Sequence, residues 1–276
     1  MVDLQDLTST TIRLIRDYRV RIKKRLSQHF VVDYRLVSEL LDAILRFKPK
    51  FVVEVGTGLG ILTTYLASIS KYVVSIELDS SLAEVATKYV YEAGVGSKVD
   101  VVIGDGVKLL RGGFRDVELV VSNVPYNVTG PLINSIIKSN CRAAVLTLQK
   151  EVADRLIATP GSRGYSRLTV MVNTFMNVEL GGLYSPKSFY PKPKVSSRVI
   201  VLRRVREWGD EWVVFEDLIR CLFNQKRKLA MKVLRRCIQI CCDESVLNDL
   251  VRGRRVYELP IDTLLNIYSL IYGRRL

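Results

Sequence analysis

A glycine-rich turn between a strand and a helix restricts the possible folds of this chain more than any other sequence feature. Residues 51–55 (FVVEV) form an apolar β-branched run, residues 56–60 (GTGLG) follow as a turn, and residues 61–70 continue with helical character. The next β-branched run ends at Glu77, about twenty residues after the turn, where an acidic side chain can bond a ribose diol. This order predicts a Rossmann-like unit that binds a nucleoside-containing cofactor. The glycines fit NAD and S-adenosylmethionine equally well.

Strands continue to alternate with helices after this unit. Further β-branched or apolar runs occur at residues 99–103, 119–122 and 143–148, with helical segments between them. The alternation predicts an α/β fold with a parallel sheet, whose ligands bind outside the carboxyl ends of the strands. Asp105 favours S-adenosylmethionine, because its carboxylate can accept a hydrogen bond from the exocyclic amine of adenine. The polar residues expected at this edge are Glu54, Glu77, Asp105 and Asn123.

The charge balance indicates the class of partner. Lysine and arginine outnumber aspartate and glutamate by 42 to 28, which gives a net charge of +14. Clusters of positive charge favour a polyanion, because each phosphate that they neutralise releases counterions. Nucleic acid is the simplest such partner; an acidic membrane surface is the alternative, but the chain has no clear amphipathic anchor. The clusters lie at residues 19–25, 203–206, 226–228, 232–236 and 252–255.

Membrane segments, secretory signals and metal motifs are not indicated by the sequence. No apolar run approaches the ~18 residues that a transmembrane helix requires, and charged residues interrupt residues 1–25 throughout. We therefore expect a cytoplasmic protein with no membrane partner. Five cysteines and one histidine show no paired spacing of the zinc-binding kind, so we expect no metal. A disulfide between Cys221 and Cys237 is left open.

The segment SNVPYN, residues 122–127, ends the fourth predicted strand. Taken alone it fits an ordinary strand end, because Asn and Pro both terminate strands and aromatic rings often cover turns. It is, however, one of a series of motifs in a fixed order along the chain. The series comprises residues 27–33 (SQHFVVD), 52–63 (VVEVGTGLGILT), 73–79 (VVSIELD), 104–109 (GDGVKL), 122–127 (SNVPYN), 148–156 (LQKEVADRL), 161–170 (GSRGYSRLTV), 189–200 (FYPKPKVSSRVI) and 223–234 (FNQKRKLAMKVL).

With these motifs the chain resembles the ribosomal RNA small-subunit adenine N6,N6-dimethyltransferase family, and in particular its archaeal-like members. The departures are small: Val31 and Val124 stand where the family usually has Leu, and residues 129–130 (TG) replace a common Ser-Ser. The resemblance implies a Rossmann-like, S-adenosylmethionine-dependent methyltransferase sheet with a small C-terminal all-helical domain. It also implies dimethylation of N6 on adjacent adenines near the 3′ end of small-subunit ribosomal RNA, in ribosome biogenesis. The partner would be this RNA or an immature small ribosomal subunit, and the enzyme would be a monomer.

The resemblance together with the chemistry of adenine explains SNVPYN. The exocyclic amine is a poor nucleophile because its lone pair is delocalised into the ring, so the enzyme must offer it two acceptors. Asn123 Oδ1 is expected to be one, and the Val124 carbonyl the other, because Pro125 restricts Val124 to an extended backbone. Tyr126 offers a ring on which a flipped base can stack, and Phe189 is expected to cover the opposite face. Transfer would then depend on positioning and on dispersal of charge.

Cofactor contacts are expected in the motifs before and along the sheet. His29 is the only histidine, and the resemblance makes it a binding-loop residue rather than an acid or base; a capped loop imidazole is the alternative. The expected cofactor-binding residues are Gln28, His29, Val31, Glu54, Gly56, Gly58, Glu77, Asp105 and Asn123.

The domain organisation follows from a change of pattern near residue 204. We expect a basic N-terminal helical extension (1–26), a Rossmann-like methyltransferase domain (27–203) and a helical domain (204–276) that contacts RNA or, alternatively, only caps the sheet. The basic residues at 226–228 and 235–236 fall on one predicted helix. The candidate RNA contacts are Lys226, Arg227, Lys228, Arg235 and Arg236; in the competing interpretation they only solvate a helix or pair with Glu216, Asp217, Asp243 and Glu244.

Two alternatives to a catalytic RNA methyltransferase are open at this point. The first is an assembly or transcription factor that has kept the fold and lost methyl transfer; the intact motif residues argue against it. The second is a methyltransferase for a small molecule, which the net charge of +14 disfavours.

Overall fold

The computed structural model describes residues 6–112, 117–238 and 244–273. The strands are β1 (Phe30–Val31), β2 (Phe51–Val55), β3 (Tyr72–Glu77), β4 (Val99–Ile103), β5 (Leu119–Asn123), β6 (Ala143–Gln149), β7 (Met176–Tyr184), β8 (Phe189–Tyr190) and β9 (Ser197–Arg204). The helices are α1 (Leu7–Asp17), α2 (Tyr34–Leu45), α3 (Ile61–Ile69), α4 (Ser80–Glu92), α5 (Gly106–Gly112), α6 (Thr129–Lys138), α7 (Lys150–Leu156), α8 (Arg167–Phe175), α9 (Glu211–Asn224), α10 (Ala230–Cys237), α11 (Glu244–Val251) and α12 (Ile261–Tyr272).

Seven of the strands form one sheet in the order β4-β3-β2-β5-β6-β9-β7. The pairs β3–β4, β2–β3, β2–β5 and β5–β6 are parallel, whereas β9 runs antiparallel to β6. The direction of strand order reverses between β2 and β5, and such a switch point opens a crevice at the carboxyl ends of the strands. The predicted Rossmann-like α/β sheet is confirmed.

The central strands are apolar runs because both faces of the sheet are covered. Val52, Val53, Val120 and Val121 are fully buried, as expected for parallel strands with helices on both sides. This burial fixes the positions of the residues that follow each strand, and those residues form the edge described below.

The chain divides into two compact units. The first comprises Met1–Ala153 and Val178–Arg204, and the second comprises Asp154–Asn177 and Val205–Leu276. The sequence predicts residues 154–177 within the methyltransferase domain, but the structure places them with the C-terminal helices. The Tyr165 hydroxyl donates to the Leu259 carbonyl (2.9 Å), and the Gly161 N–H donates to the Tyr257 carbonyl (2.8 Å).

Helix α1 in the N-terminal segment packs against the rest of the first unit. Leu7 and Leu14 on α1 are 1% exposed and share an apolar cluster with Phe30, Tyr65 and Tyr89. Helix α1 therefore buries one face, and the chain reaches the sheet through residues 18–29.

The prediction that one helix carries residues 226–228 and 235–236 is wrong. Helix α10 begins only at Ala230, and Leu229 before it is extended (φ −57°, ψ 130°). Lys226 and Lys228 instead accept backbone hydrogen bonds from Tyr257 (3.0 Å) and Val256 (3.1 Å). Pairing with a distant segment thus overrides the helical preference of this sequence.

The described helices are short, and α9 is the longest of them with 14 residues. No helix in the described part of the chain combines the length and apolar character needed to cross a membrane. Cys221 on α9 and Cys237 on α10 form a disulfide with a Cα–Cα distance of 5.9 Å, so the bridge left open by the sequence is present.

Candidate active site at the carboxyl ends of the strands

A cavity lies where β2, β3 and β5 end, all within the first unit. Its walls are the glycine-rich turn, the residues after each strand and the loop that precedes β1. The sequence-predicted residues that line it are Gln28, His29, Val31, Glu54, Gly56, Gly58, Glu77, Asp105, Asn123, Val124, Pro125 and Tyr126.

The turn after β2 depends on glycine at two positions in particular. Gly58 has φ +59°, and a Cβ there would lie 3.2 Å from the Phe30 ring. Gly60 has φ +81°, and its Cβ would lie 3.1 Å from the Cα atom of Ala86 on α4. These positions favour glycine because L side chains rarely adopt positive φ and because neighbouring groups approach closely. The tight path of the turn along the cavity therefore depends on these glycines.

Glu77 is fixed at the end of β3 by two backbone donors. Its Oε2 accepts a hydrogen bond from the Gly58 N–H and its Oε1 accepts one from the Asp79 N–H, both at 2.9 Å. Burial raises the pKa of Glu77, and the two backbone donors oppose that shift. Each carboxylate oxygen keeps a further lone pair for a ligand. These two acceptor oxygens therefore fit the hydroxyl donors of a ribose diol.

Asp105 is held in a similar way at the end of β4. Its Oδ1 accepts hydrogen bonds from the backbone N–H groups of Val107 (3.0 Å) and Lys108 (3.3 Å) at the start of α5. Oδ2 makes no hydrogen bond within the described residues, so it can accept one from an adenine amine.

Asn123 has a defined amide orientation. Its Nδ2 donates to the backbone carbonyl of His29 at 2.7 Å, and because a carbonyl can only accept, Oδ1 is left as the free acceptor. Pro125 has φ −58° and ψ 128°, and the Val124 N–H donates to the Thr147 carbonyl (3.2 Å). The Val124 carbonyl accepts no hydrogen bond from the described residues. Two uncommitted acceptors thus lie next to each other in SNVPYN.

Tyr126 and His29 form an aromatic pair at the same end of the cavity. Their ring centroids are 5.5 Å apart at an interplanar angle of 33°. The Tyr126 hydroxyl hydrogen-bonds Ser197 Oγ (2.8 Å), and burial raises the pKa of Tyr126. His29 Nδ1 lies 2.6 Å from the Pro191 carbonyl, so Nδ1 carries the proton. Both rings are therefore held by partners outside the cavity.

Phe189, predicted to cover one face of the base, does not line the cavity, and its stacking role stays a prediction. It is 2% exposed and belongs to the main apolar cluster of the sheet. Alternate residues of a strand point to opposite faces, so the next residue, Tyr190, is 40% exposed instead. The two-residue period of the strand therefore exposes Tyr190 rather than Phe189.

Asp79 supports the site from behind the cavity wall, a role that sequence reasoning missed. It is 2% exposed and accepts hydrogen bonds from Lys23 Nζ (2.7 Å) and Gln28 Nε2 (2.9 Å), while its own N–H binds Glu77. Burial acts to raise the pKa of Asp79, but the hydrogen bonds from Lys23, Ser81 and Gln28 outweigh it and lower the pKa to about 2. Asp79 thus connects the loop before β1 to Glu77. An Asp directly before Ser-Ser at a helix start is the signal that could have found it.

Glu54 lies beneath the glycine-rich turn and is 1% exposed. Its Oε2 accepts hydrogen bonds from the hydroxyls of Thr63 and Ser75, each at 2.6 Å. Ser75 in turn bonds Thr57 of the turn (2.6 Å). Burial raises the pKa of Glu54 to about 7. The carboxyl group is therefore an anchor of the turn and can carry a proton near neutral pH.

We expect Glu54→Gln to remove one component of the pH dependence of stability. A pKa raised from 4.5 to about 7 means that the folded protein keeps a proton that the unfolded chain loses, so wild-type stability falls as pH rises through this window. The loss is up to about 3 kcal/mol. Glutamine can still accept the two hydroxyl hydrogen bonds and does not titrate. The free energy of unfolding of the variant should therefore rise relative to that of wild type as the pH increases from 5 to 8. Denaturant unfolding at several pH values checks this.

Glu77 also has a raised pKa, and its charge helps to raise the pKa of Glu54, so the difference between the two proteins reports the loss of Glu54 together with its effect on Glu77. Asp79 titrates below this window. Parallel pH profiles for wild type and Glu54→Gln would show that Glu54 is already ionised at pH 5 in the folded state.

The side chains predicted to contact RNA in the second unit differ in how many hydrogen bonds and ion pairs they make within the protein. Lys226 Nζ donates to the carbonyls of Tyr165 (2.7 Å) and Arg163 (3.1 Å), and burial lowers its pKa. Arg235 pairs with Glu244 at 2.8 Å, and Arg236 lies 3.5 Å from the Gln225 amide oxygen. Arg227 and Lys228 are exposed. Asp243, a predicted alternative partner, lies outside the described residues.

Comparison with known proteins decides the family. The sequence model described as "Ribosomal RNA adenine dimethylase" matches residues 19–271. The chain belongs to this family. Ribosomal RNA adenine dimethylases are S-adenosylmethionine-dependent enzymes, so this chain is an S-adenosylmethionine-dependent rRNA adenine dimethyltransferase, and the predicted family, enzyme class and cofactor are confirmed.

Individual dimethylase relatives agree with this assignment. The chain is 31% identical over 271 residues to the probable ribosomal RNA small subunit methyltransferase A of Methanothermobacter thermautotrophicus, covering 96% of both chains. It is 35% identical over 251 residues to the protein of that name from Methanopyrus kandleri, covering 90% of this chain and 87% of the relative. Among solved structures, a dimethyladenosine transferase from Plasmodium falciparum shares the fold, with a TM-score of 0.70, 24% identity, and coverage of 87% of this chain and 98% of that one.

Proposed function

We propose that this dimethylase transfers methyl groups to N6 of adjacent adenines near the 3′ end of small-subunit ribosomal RNA, during ribosome biogenesis. The pair of free acceptors in SNVPYN, Asn123 Oδ1 and the Val124 carbonyl, is the observation that carries the proposal. The net charge of +14 fits an RNA substrate, either free or within an immature small ribosomal subunit. The protein would act as a cytoplasmic monomer.

The cofactor site is proposed at the cavity walls. S-adenosylmethionine, when bound, supplies a methyl group activated by its sulfonium. Glu77 would bind the ribose hydroxyls and Asp105 the adenine amine, since both carboxylates keep free lone pairs beside the cavity. The remaining proposed contacts are Gln28, His29, Val31, Glu54, Gly56, Gly58 and Asn123.

The target adenine is proposed to lie against SNVPYN. Asn123 Oδ1 and the Val124 carbonyl would accept the two N–H groups of its amine, which holds the nitrogen lone pair toward the methyl group. The Tyr126 ring would stack on the flipped base. Positive charge that develops on the nitrogen would be dispersed onto the two oxygen acceptors.

The test uses immature small subunits and S-adenosylmethionine labelled in its methyl group. After incubation with the protein, the RNA is digested and the label is mapped. We expect label on N6 of two adjacent adenines near the 3′ end, and far less label in the same time with Asn123→Ala. Binding of the subunit without any transfer would support a non-catalytic assembly factor instead.

The second unit is proposed to hold RNA through its exposed cations. Replacing Arg227, Lys228 and Arg236 with alanine should weaken RNA binding and reduce the slope of log K against log salt by about 0.7 to 0.9 per lost contact. Cofactor affinity should not change. The control is Lys226→Met, since Lys226 Nζ already donates hydrogen bonds to the carbonyls of Arg163 and Tyr165. Superimposed salt curves for wild type and the triple variant would move the RNA site away from this unit.

A further inference from the structure

Two exposed basic segments of the first unit lie beside the cavity. Lys24 and Arg25 precede β1, and Lys192 and Lys194 follow β8; all four are exposed. Tyr190, 40% exposed, lies next to the second pair in sequence. We call Lys24, Arg25, Tyr190, Lys192 and Lys194 the rim surface.

Contacts with cavity-lining residues hold the rim surface in place. The Arg25 carbonyl accepts a hydrogen bond from Asn127 Nδ2 (3.3 Å), and Asn127 lines the cavity. The Pro191 carbonyl bonds His29 Nδ1 (2.6 Å), and Tyr190 pairs with Phe30 in the β1–β8 ladder. The two basic segments are therefore attached to the residues that surround the proposed position of the target adenine.

The cationic side chains of the rim surface do not stabilise the fold through hydrogen bonds or ion pairs with the described residues. Within residues 6–112, 117–238 and 244–273, the side chains of Lys24, Arg25, Lys192 and Lys194 form no hydrogen bond or ion pair. Lys23, directly before them, is by contrast paired with Asp79 at 2.7 Å. Unpaired positive charges that are neighbours along the chain, as Lys24 and Arg25 are, repel one another and are retained at some cost to stability, which favours a role in binding an anion.

We propose that the rim surface binds the phosphates on either side of the target adenine, with Tyr190 stacking on a neighbouring unpaired base. The inference rests on the proposed function. It gives the protein a second RNA-binding surface, which lies in the first unit. Basic side chains interleaved with an exposed aromatic ring are the chemistry that recognises single-stranded nucleic acid. A base can enter the cavity only when it is unstacked, and the rim surface would hold the strand in that state.

The test compares two double variants with equal loss of charge. Lys192→Ala/Lys194→Ala removes rim cations, whereas Lys50→Ala/Lys71→Ala removes exposed cations before β2 and β3, at the opposite edge of the sheet. Binding of a single-stranded fragment from the 3′ end of small-subunit rRNA is measured against salt, together with kcat, KM and cofactor Kd.

We expect the rim variant to lower the salt slope by about 1.4, for two contacts on a single strand, and to raise KM for RNA with cofactor Kd unchanged. The control pair should keep the wild-type slope. Tyr190→Ala should weaken RNA binding roughly tenfold, while Tyr190→Phe keeps the ring and the affinity.

The proposal is overturned if the rim and control variants share one salt curve, or if Tyr190→Ala binds RNA as wild type does. Its failure is distinguishable from failure of the proposed function. If only the rim proposal fails, wild type still methylates the RNA and the rim variants behave like the control. If the proposed function fails, wild type itself transfers no methyl group to RNA.

Discussion

Replacing Asn123 with alanine is expected to lower kcat for methyl transfer by about 10²- to 10³-fold, the range seen when one preorganised hydrogen-bonding group of an active site is removed. Asn123 Oδ1 would act mainly on the amine as it becomes tetrahedral, so the affinities for cofactor and RNA should change far less than kcat. Single-turnover transfer with labelled S-adenosylmethionine, combined with separate binding measurements, checks the result.

Asn123→Asp separates the acceptor from the positioning role of the same side chain. Aspartate keeps an acceptor oxygen but cannot donate to the His29 carbonyl, which Asn123 Nδ2 does at 2.7 Å. We expect activity between wild type and Asn123→Ala. Transfer by Asn123→Ala at the wild-type rate would refute the acceptor role of SNVPYN.

Glu77→Ala is expected to raise the Kd for S-adenosylmethionine by about 10- to 100-fold, because a charged acceptor of this kind contributes about 1.5–3 kcal/mol. Glu77 is 7% exposed, and its two backbone hydrogen bonds hold its free lone pairs toward the cavity. Calorimetric titration of the cofactor measures the change directly.

Loss of Glu77 also leaves the N–H groups of Gly58 and Asp79 without a partner, so a thermal unfolding curve must accompany the titration. Glu77→Gln keeps an acceptor and the side-chain volume and should lose less affinity. The matched control is Glu84→Gln on α4, an exposed carboxylate paired with Lys88, which should bind the cofactor as wild type does. Unchanged affinity in a folded Glu77→Ala protein would remove Glu77 from the site.

The elements of the first unit could be predicted because their signals are local. The strands are continuous apolar runs, the turn after β2 is marked by glycines, and Glu77, Asp105 and Asn123 each end or follow a strand. Parallel strands bring such residues to one edge whatever their separation in sequence. The prediction of that edge therefore needed no knowledge of side-chain packing.

The features that sequence reasoning missed depend on contacts between distant segments. Asp79 matters because Lys23 and Gln28 reach it, and its position before Ser-Ser indicates only a helix start, not these two contacts. Residues 226–228 pair with residues 256–257 instead of joining α10. Phe189 is buried because the two-residue strand β8 turns it into the core, whereas Tyr190 is exposed.

The Cys221–Cys237 disulfide has a consequence for RNA binding as well as for stability. It closes a loop with a sequence separation of 16, which removes about 3 kcal/mol of loop-closure entropy from the unfolded chain. The closed loop contains Arg227, Lys228 and Arg236. Binding costs less when the groups involved are already ordered, so the covalent link preorganises these cations for a phosphate backbone. Reduction of the bridge should therefore weaken RNA binding even where the helices stay folded.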